Sequence, residues 1–166
     1  MRAATTGTIA LDPSRLRRVF GAHPSGVVFL AALVDDEPLG LAASSFTSVS
    51  LAPALVSTCV AHTSTTWPRL RFAGRLGVSV LGIEQETVVR QLASTGGDRF
   101  AGLSWRSSED GAVVLDGAAA WFEVSVEQHV RAGDHDIVVL RVHDLDDSPD
   151  VHPLVFHASR FTGLHP

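Results

Sequence analysis

The sequence predicts a mainly β protein, an antiparallel barrel with a few inserted helices. The apolar run VVFLAALV ends on Asp35, Asp36, Glu37 and Pro38, which reads as a buried strand closed by hairpin-turn residues. Farther along, Phe122, Val124 and Val126 alternate with Glu123, Ser125 and Glu127, the period of a half-buried strand. Gly133 and Asp134 then turn the chain into a further strand from His135 to Val142. Helical periods appear only in short stretches, too sparse for alternating β and α units. No G-x-G-x-x-G follows a strand and no G-x-x-x-x-G-K occurs, so neither standard nucleotide loop is present.

Each element follows from local chemistry. Asp12 before Pro13 is a helix start, with Leu16, Val19 and Phe20 at helical spacing, so a helix is expected over Pro13–Ala22. The strand and hairpin of VVFLAALV come next, and a hydroxyl-rich segment follows, broken at Pro53 and resumed over Leu55–Val60. Thr66 before Trp67 and Pro68 opens a second helix, with Leu70 and Ala73 inward and Gly74 ending it. Leu76–Leu81 is a strand, and Glu84–Ala93 a helix burying Val88, Val89 and Leu92 and stopped by Gly96 and Gly97. The stretch Asp98–Gly111 reads as loop, and Ala120–Val130 as the alternating strand. Trp67, Trp105 and Trp121 are expected to fill core or interface space, and Arg15, Arg17, Arg18, Arg69 and Arg71 to cover solvated helix faces.

Composition narrows the function. At 166 residues and 45% hydrophobic content, residues 1–166 make one globular domain with a real core. The formal charge is −5, Lys is absent and the arginines do not cluster, which argues against nucleic acid as a partner. No segment has the apolar core of a signal peptide or membrane span, so the cytoplasm is the expected location. Cys59 is the only cysteine and reads as a small buried hydrophobe, since no basic neighbour would stabilise a thiolate. The eight histidines show no H-x-x-x-H pairing, and no metal is expected.

Between Gly40 and Leu70 hydroxyl side chains crowd an otherwise strand-forming sequence, among them Ser44, Ser45, Ser57, Thr58, Thr65 and Thr66. They fall on both faces of any extended segment, so alternation cannot send all of them to solvent. They meet either a polar ligand, for which a phosphate-bearing cofactor is a good match, or one another and the backbone. Gly133-Asp134-His135 reads, from the residues alone, as a turn in which Asp134 bonds local backbone.

Taken in order, Ser25-Gly26-Val27, the segment ASSFTSVSL at 43–51, Pro53, Ser64 to Pro68, Arg99-Phe100-Ala101-Gly102, Gly133-Asp134-His135 and Pro153-Leu154-Val155-Phe156-His157 resemble the short-chain flavin reductases. The resemblance runs from about Leu11 to Leu164. It implies a split β-barrel of the FMN-binding type, generally a homodimer, that binds FMN or FAD and oxidises NADH or NADPH. Such proteins are the reductase components of two-component flavin-dependent monooxygenases, so a partner monooxygenase is implied as well. A flavin-binding electron carrier and a non-catalytic flavin-binding protein share the fold and stand as alternatives.

Carried onto this chain, the resemblance sets Gly40, Leu41, Ala42, Ala43, Ser44 and Ser45 along the flavin, the two serines bonding towards its phosphate. Cys59, Val60 and Ala61 continue the wall, and Thr65 and Thr66 reach the phosphate near a helix N-terminus. His135 is the implied catalytic residue beside flavin and nicotinamide, and Phe156, His157 and Arg160 complete the nicotinamide contact. The chain departs from the family where Ala158 and Ser159 stand in place of Arg and Gly. Ala54, Ser79 and Val113 also depart, from Pro, Asn and Pro.

Overall fold

A computed structural model describes residues 11–92, 94 and 98–164. In chain order the elements are α1 (Pro13–Phe20), β1 (Ser25–Gly26), β2 (Val28–Val34), β3 (Glu37–Ala43), β4 (Thr47–Leu51), β5 (Ala54–Ala61) and α2 (Trp67–Leu70). There follow β6 (Leu76–Val80), a 3-10 turn at Ile83–Gln85, α3 (Glu86–Leu92), β7 (Trp105–Ser107), β8 (Val113–Leu115), β9 (Ala120–Ala132), β10 (His135–Asp147), β11 (Val155–His157) and β12 (Arg160–Thr162). A seven-stranded antiparallel sheet runs β3-β2-β6-β9-β10-β5-β4, beside a three-stranded sheet β1-β11-β12 and the small hairpin β7-β8.

The β2 run is apolar throughout because both of its faces are covered. Val28, Leu30 and Ala32 join Val56, Val78, Val124, Val138 and Leu140 in a core on one face of the sheet. Val27, Phe29 and Ala31 pack on the other face with Leu81, Val89, Leu92, Val113, Leu115 and Leu154. Between β2 and β3, Asp35 and Asp36 take φ of 56° and 64°, the two-residue turn whose twist matches the strands. Glu37 and Pro38, expected in that turn, instead open β3; β3 is an edge strand, where a proline lacking its N–H is tolerated.

Helix α1 is shorter than expected, ending at Phe20 with Gly21 as cap, while Asp12 accepts the Arg15 N–H at 3.0 Å as anticipated. Helix α2 is a single turn of four residues with Trp67 and Leu70 buried. The expected helix near Glu84 begins as the 3-10 turn and buries Val89 and Leu92, while Val88 is only half-buried; Ala93, Gly96 and Gly97 lie outside the described residues. The stretch expected as loop contains β7, which pairs with β8. That hairpin lies directly on β6: the Ser79 hydroxyl, fully buried, accepts the Leu115 N–H at 2.9 Å. Both long strands exceed expectation. β9 carries a bulge near Glu127, after which the inward face passes from Val124 and Val126 to His129, leaving Val130 exposed.

Candidate functional site

The seven-stranded sheet curls, but its ends do not pair: β3 lies at one edge and β5 near the other. Just beyond β3, the Ser45 hydroxyl fastens the seam between them. That oxygen accepts the Cys59 N–H at 2.8 Å and lies 3.2 Å from the Cys59 carbonyl and 3.1 Å from the Thr58 hydroxyl. A hydroxyl has one proton and two lone pairs, so donation to the Cys59 carbonyl leaves room to accept from Cys59 N–H and Thr58 O–H. These three partners fill its capacity.

Along the open seam runs a trough of three adjoining cavities. The first, about 360 Å³, is bounded by Leu41–Ser45 on one side, Cys59–Ala61 and Ser64 on the other, and His135 at its end. The second, about 280 Å³, shares Leu41, Ala42 and Ser64 with the first and adds Thr63, Thr65, Thr66, Leu92 and Arg99. The third is a basin of about 860 Å³ that shares Thr65, Thr66 and Arg99 and reaches past Gly40 to Arg69, Phe100 and Trp105. A shallow apolar cleft of about 170 Å³ also borders Ala42–Ser44 and is lined by Val27, Val89, Phe156 and Phe161.

The structure thus brings most of the residues singled out from the sequence onto one feature. Gly40 is buried: a Cβ there would stand 2.4 Å from a Phe29 ring carbon and 2.7 Å from the Leu30 carbonyl oxygen, so β3 passes this point only as glycine. Cys59 is half-buried rather than buried, because its side lines the trough. Ser44 is exposed, and its hydroxyl has no bond within the described residues. Thr65 is likewise exposed and unbonded. Thr66 is buried and does not cap α2; the Ser64 hydroxyl accepts the Trp67 N–H at 3.1 Å instead. A one-turn helix also has little macrodipole.

The positive charge at that end comes from Arg99, whose Nη1 donates to the Thr66 hydroxyl at 3.1 Å and to the Gly40 carbonyl at 3.2 Å. Sequence reading places Arg99 in a motif without giving it a role, since only the fold carries it across to β3. Phe156 reaches the site through the apolar cleft and packs on Phe161 with centroids 5.3 Å apart. His157 and Arg160 do not line any of these cavities; they pair across the β11–β12 turn, where Ala158 and Ser159 take φ of 49° and 62°.

His135 is half-buried at the end of the first cavity, and its Nδ1 lies 2.7 Å from the Asp134 carboxylate. With Nδ1 held there, Nε2 is the nitrogen left for another partner. The His135 bond is also the first reason that the Asp134 carboxyl titrates below its ordinary range, followed by the charge of the same ring.

Small side chains facing backbone across a narrow seam suit a flat ring. The unbonded hydroxyl of Thr65 beside the half-buried Arg99 guanidinium suits a phosphate, whereas Ser44 lines the His135 cavity and the apolar cleft instead. An antiparallel barrel left open along a seam of this composition defines a flavin-binding split-barrel protein. The chain belongs to the flavin reductase like domain family, whose model matches residues 20–165. It is 37% identical over 156 residues to a flavin reductase of Pseudomonas putida, covering 93% of this chain and 92% of that one. It is 35% identical over 157 residues to the HsaB reductase subunit of a flavin-dependent monooxygenase of Rhodococcus jostii, covering 95% and 80%. The structure of the NADH:FAD oxidoreductase SgcE6 of Streptomyces globisporus, in complex with NAD and FAD fragments, superposes with a TM-score of 0.87 at 35% identity, covering 95% and 97%.

Proposed function

We propose that the protein is an NAD(P)H:flavin oxidoreductase that reduces FMN or FAD in the seam and hands the reduced flavin to a partner monooxygenase. The observation that carries this reading is the trough itself, with its slot between β3 and β5 and the Arg99 guanidinium beside the Thr65 hydroxyl at one end. Flavin and reduced nicotinamide bound there would supply the hydride-transfer chemistry. The chain's own residues bind, orient and exclude water.

In this reading Gly40 to Ala43 and Cys59 to Ala61 form the two walls against the ring, and Ser45 holds them at fixed spacing. Thr65, Thr66 and Arg99 bind the phosphate end, and Ser44 offers its hydroxyl to the flavin from the His135 cavity. His135, with Nδ1 engaged by Asp134, offers Nε2 to the carboxamide or holds a proton near the reduced ring. Phe156 supplies an apolar wall for the nicotinamide, and His157 and Arg160 stand at the adjoining turn.

Residues 1–166 act as one domain in this proposal, and the working form is a homodimer. Leu51, Val49 and Val130, exposed on strands of the large sheet, supply apolar surface for a second copy. No described helix is long and apolar enough to cross a membrane. The need for reduced nicotinamide assigns the reaction to the cytoplasm.

The test is flavin titration by fluorescence together with reduction kinetics in His135→Ala. The variant is expected to bind flavin with little change and to reduce it at least about tenfold more slowly. Unchanged kinetics would remove His135 from the mechanism, and failure to bind flavin in the unaltered protein would remove the function.

A further inference from the structure

His62 lies just beyond β5, outside every cavity of the trough, and is not among the residues that the resemblance carries over. Two of its groups nevertheless grip the β9–β10 hairpin on either side of His135. Its backbone N–H donates to the Asp134 carbonyl at 2.9 Å, and its ring Nε2 bonds the Asp136 carboxylate at 2.9 Å. The contact joins residues 74 positions apart in sequence. We propose that His62 is a positioning residue for His135: it fixes the hairpin so that the His135 ring meets the nicotinamide and flavin. The inference rests on the functional reading above.

Three observations support it. The residues on either side of His135 are both tied to His62, whereas Gly133, with φ of 67° and nothing within 4 Å of where a Cβ would stand, gives the turn no packing of its own. The Asp136 carboxylate is approached from a second direction as well. His129 Nδ1, from β9, lies 3.8 Å from its other oxygen, and the His129 ring packs on Trp67 with centroids 5.9 Å apart. The Trp67 backbone N–H in turn donates to the hydroxyl of Ser64, which lines the trough. Finally, the His62 bond is the first cause of the Asp136 carboxyl titrating below its ordinary range, with the charges of His62, His129 and Arg131 adding to it. The hairpin is thereby tied to the chain just beyond β5 by the two His62 bonds, one to each neighbour of His135.

The clamp predicts a coupling that a residue serving stability alone would lack. His62→Ala should lower kcat/KM for reduced nicotinamide by about fivefold to tenfold while flavin affinity stays within about twofold, because displacing a hairpin misaligns reacting groups without unmaking the flavin site. His62→Gln, whose amide nitrogen can take the place of Nε2, should recover most of the loss. In a double-mutant cycle, His62→Ala added to His135→Ala should cost almost nothing more, since its effect passes through a ring already removed. A multiplicative loss in the double variant, or no rescue by His62→Gln, would overturn the proposal. If His135→Ala alone has full activity while His62→Ala is impaired, the role of His135 fails and the clamp fails with it. If the unaltered protein binds no flavin at all, the functional reading fails and the clamp falls with it, whereas flavin binding and turnover that His62→Ala leaves unchanged would sink the clamp alone.

Discussion

The two adjacent serines of the seam do different work, and removing each hydroxyl should separate them. In Ser45→Ala the Cys59 N–H and carbonyl and the Thr58 hydroxyl lose a shared partner, and Thr58 is fully buried. A buried polar group left unsatisfied costs about 1–3 kcal/mol. Water in the trough can re-bond the half-buried Cys59 backbone, but it cannot reach Thr58. The expected loss is therefore about 2–4 kcal/mol, the Thr58 penalty plus part of that at Cys59. For a domain of this size that is on the order of 10 °C in midpoint. The exposed, unbonded hydroxyl of Ser44 predicts the reverse pattern: Ser44→Ala should leave stability within about 0.5 kcal/mol and weaken flavin binding. Chemical denaturation of both variants, paired with flavin titration, reads the two effects. A Ser45→Ala loss below about 0.5 kcal/mol would refute the idea that this hydroxyl fastens the seam.

Three other perturbations probe the frame around the site. In Ser159→Gly, relief of the left-handed φ of 62° should raise stability by about 0.5–1 kcal/mol, since a side chain gives up more there than at the more tolerant Asp35 and Asp36; a lower denaturation midpoint would contradict the turn geometry. Gly77→Ala would set a Cβ 2.0 Å from the Val113 carbonyl oxygen, and backbone cannot step aside cheaply. It should cost more than about 4 kcal/mol and abolish soluble expression or cooperative unfolding, whereas a near-native midpoint would show that β8 does not rest on β6. Acid should weaken the fold through Asp134, Asp136 and Glu127, whose native carboxyls are lowered chiefly by bonds to His135, His62 and Arg141. A lowered native pKa contributes stability present above the ordinary values of 3.8 and 4.5 and lost as pH falls through the lower native values. Denaturation midpoints should thus drop through that acid range, and Glu127→Gln should flatten part of the drop; a midpoint independent of pH there would remove these pairs from the stability.

Much of the frame was legible because its signals are local. The β2 run, the Asp35-Asp36 turn and the Asp12 cap each depend on a few neighbouring residues. What escaped depends on distant partners. Strands β1, β7, β8, β11 and β12 are two or three residues long, too short for a period, and exist because neighbours from elsewhere in the chain pair with them. The bulge in β9 reverses which face is inward, and no alternation rule can announce it. Composition marked the hydroxyls around the seam, yet gave no means of telling Ser45, with three partners inside the fold, from Ser44, with none among the described residues. Arg99 and His62 went unweighed for the same reason: their contacts, to Gly40 and to Asp136, span 59 and 74 positions.

The central claim is tested most directly by mixing a small amount of the protein with a large molar excess of free FMN or FAD and of NADH or NADPH, and counting nicotinamide oxidised per protein molecule. The account predicts sustained turnover, many equivalents per chain, well above a protein-free control. Oxidation that stops after one equivalent with flavin retained on the protein would contradict it, and would describe a carrier whose flavin never leaves the seam.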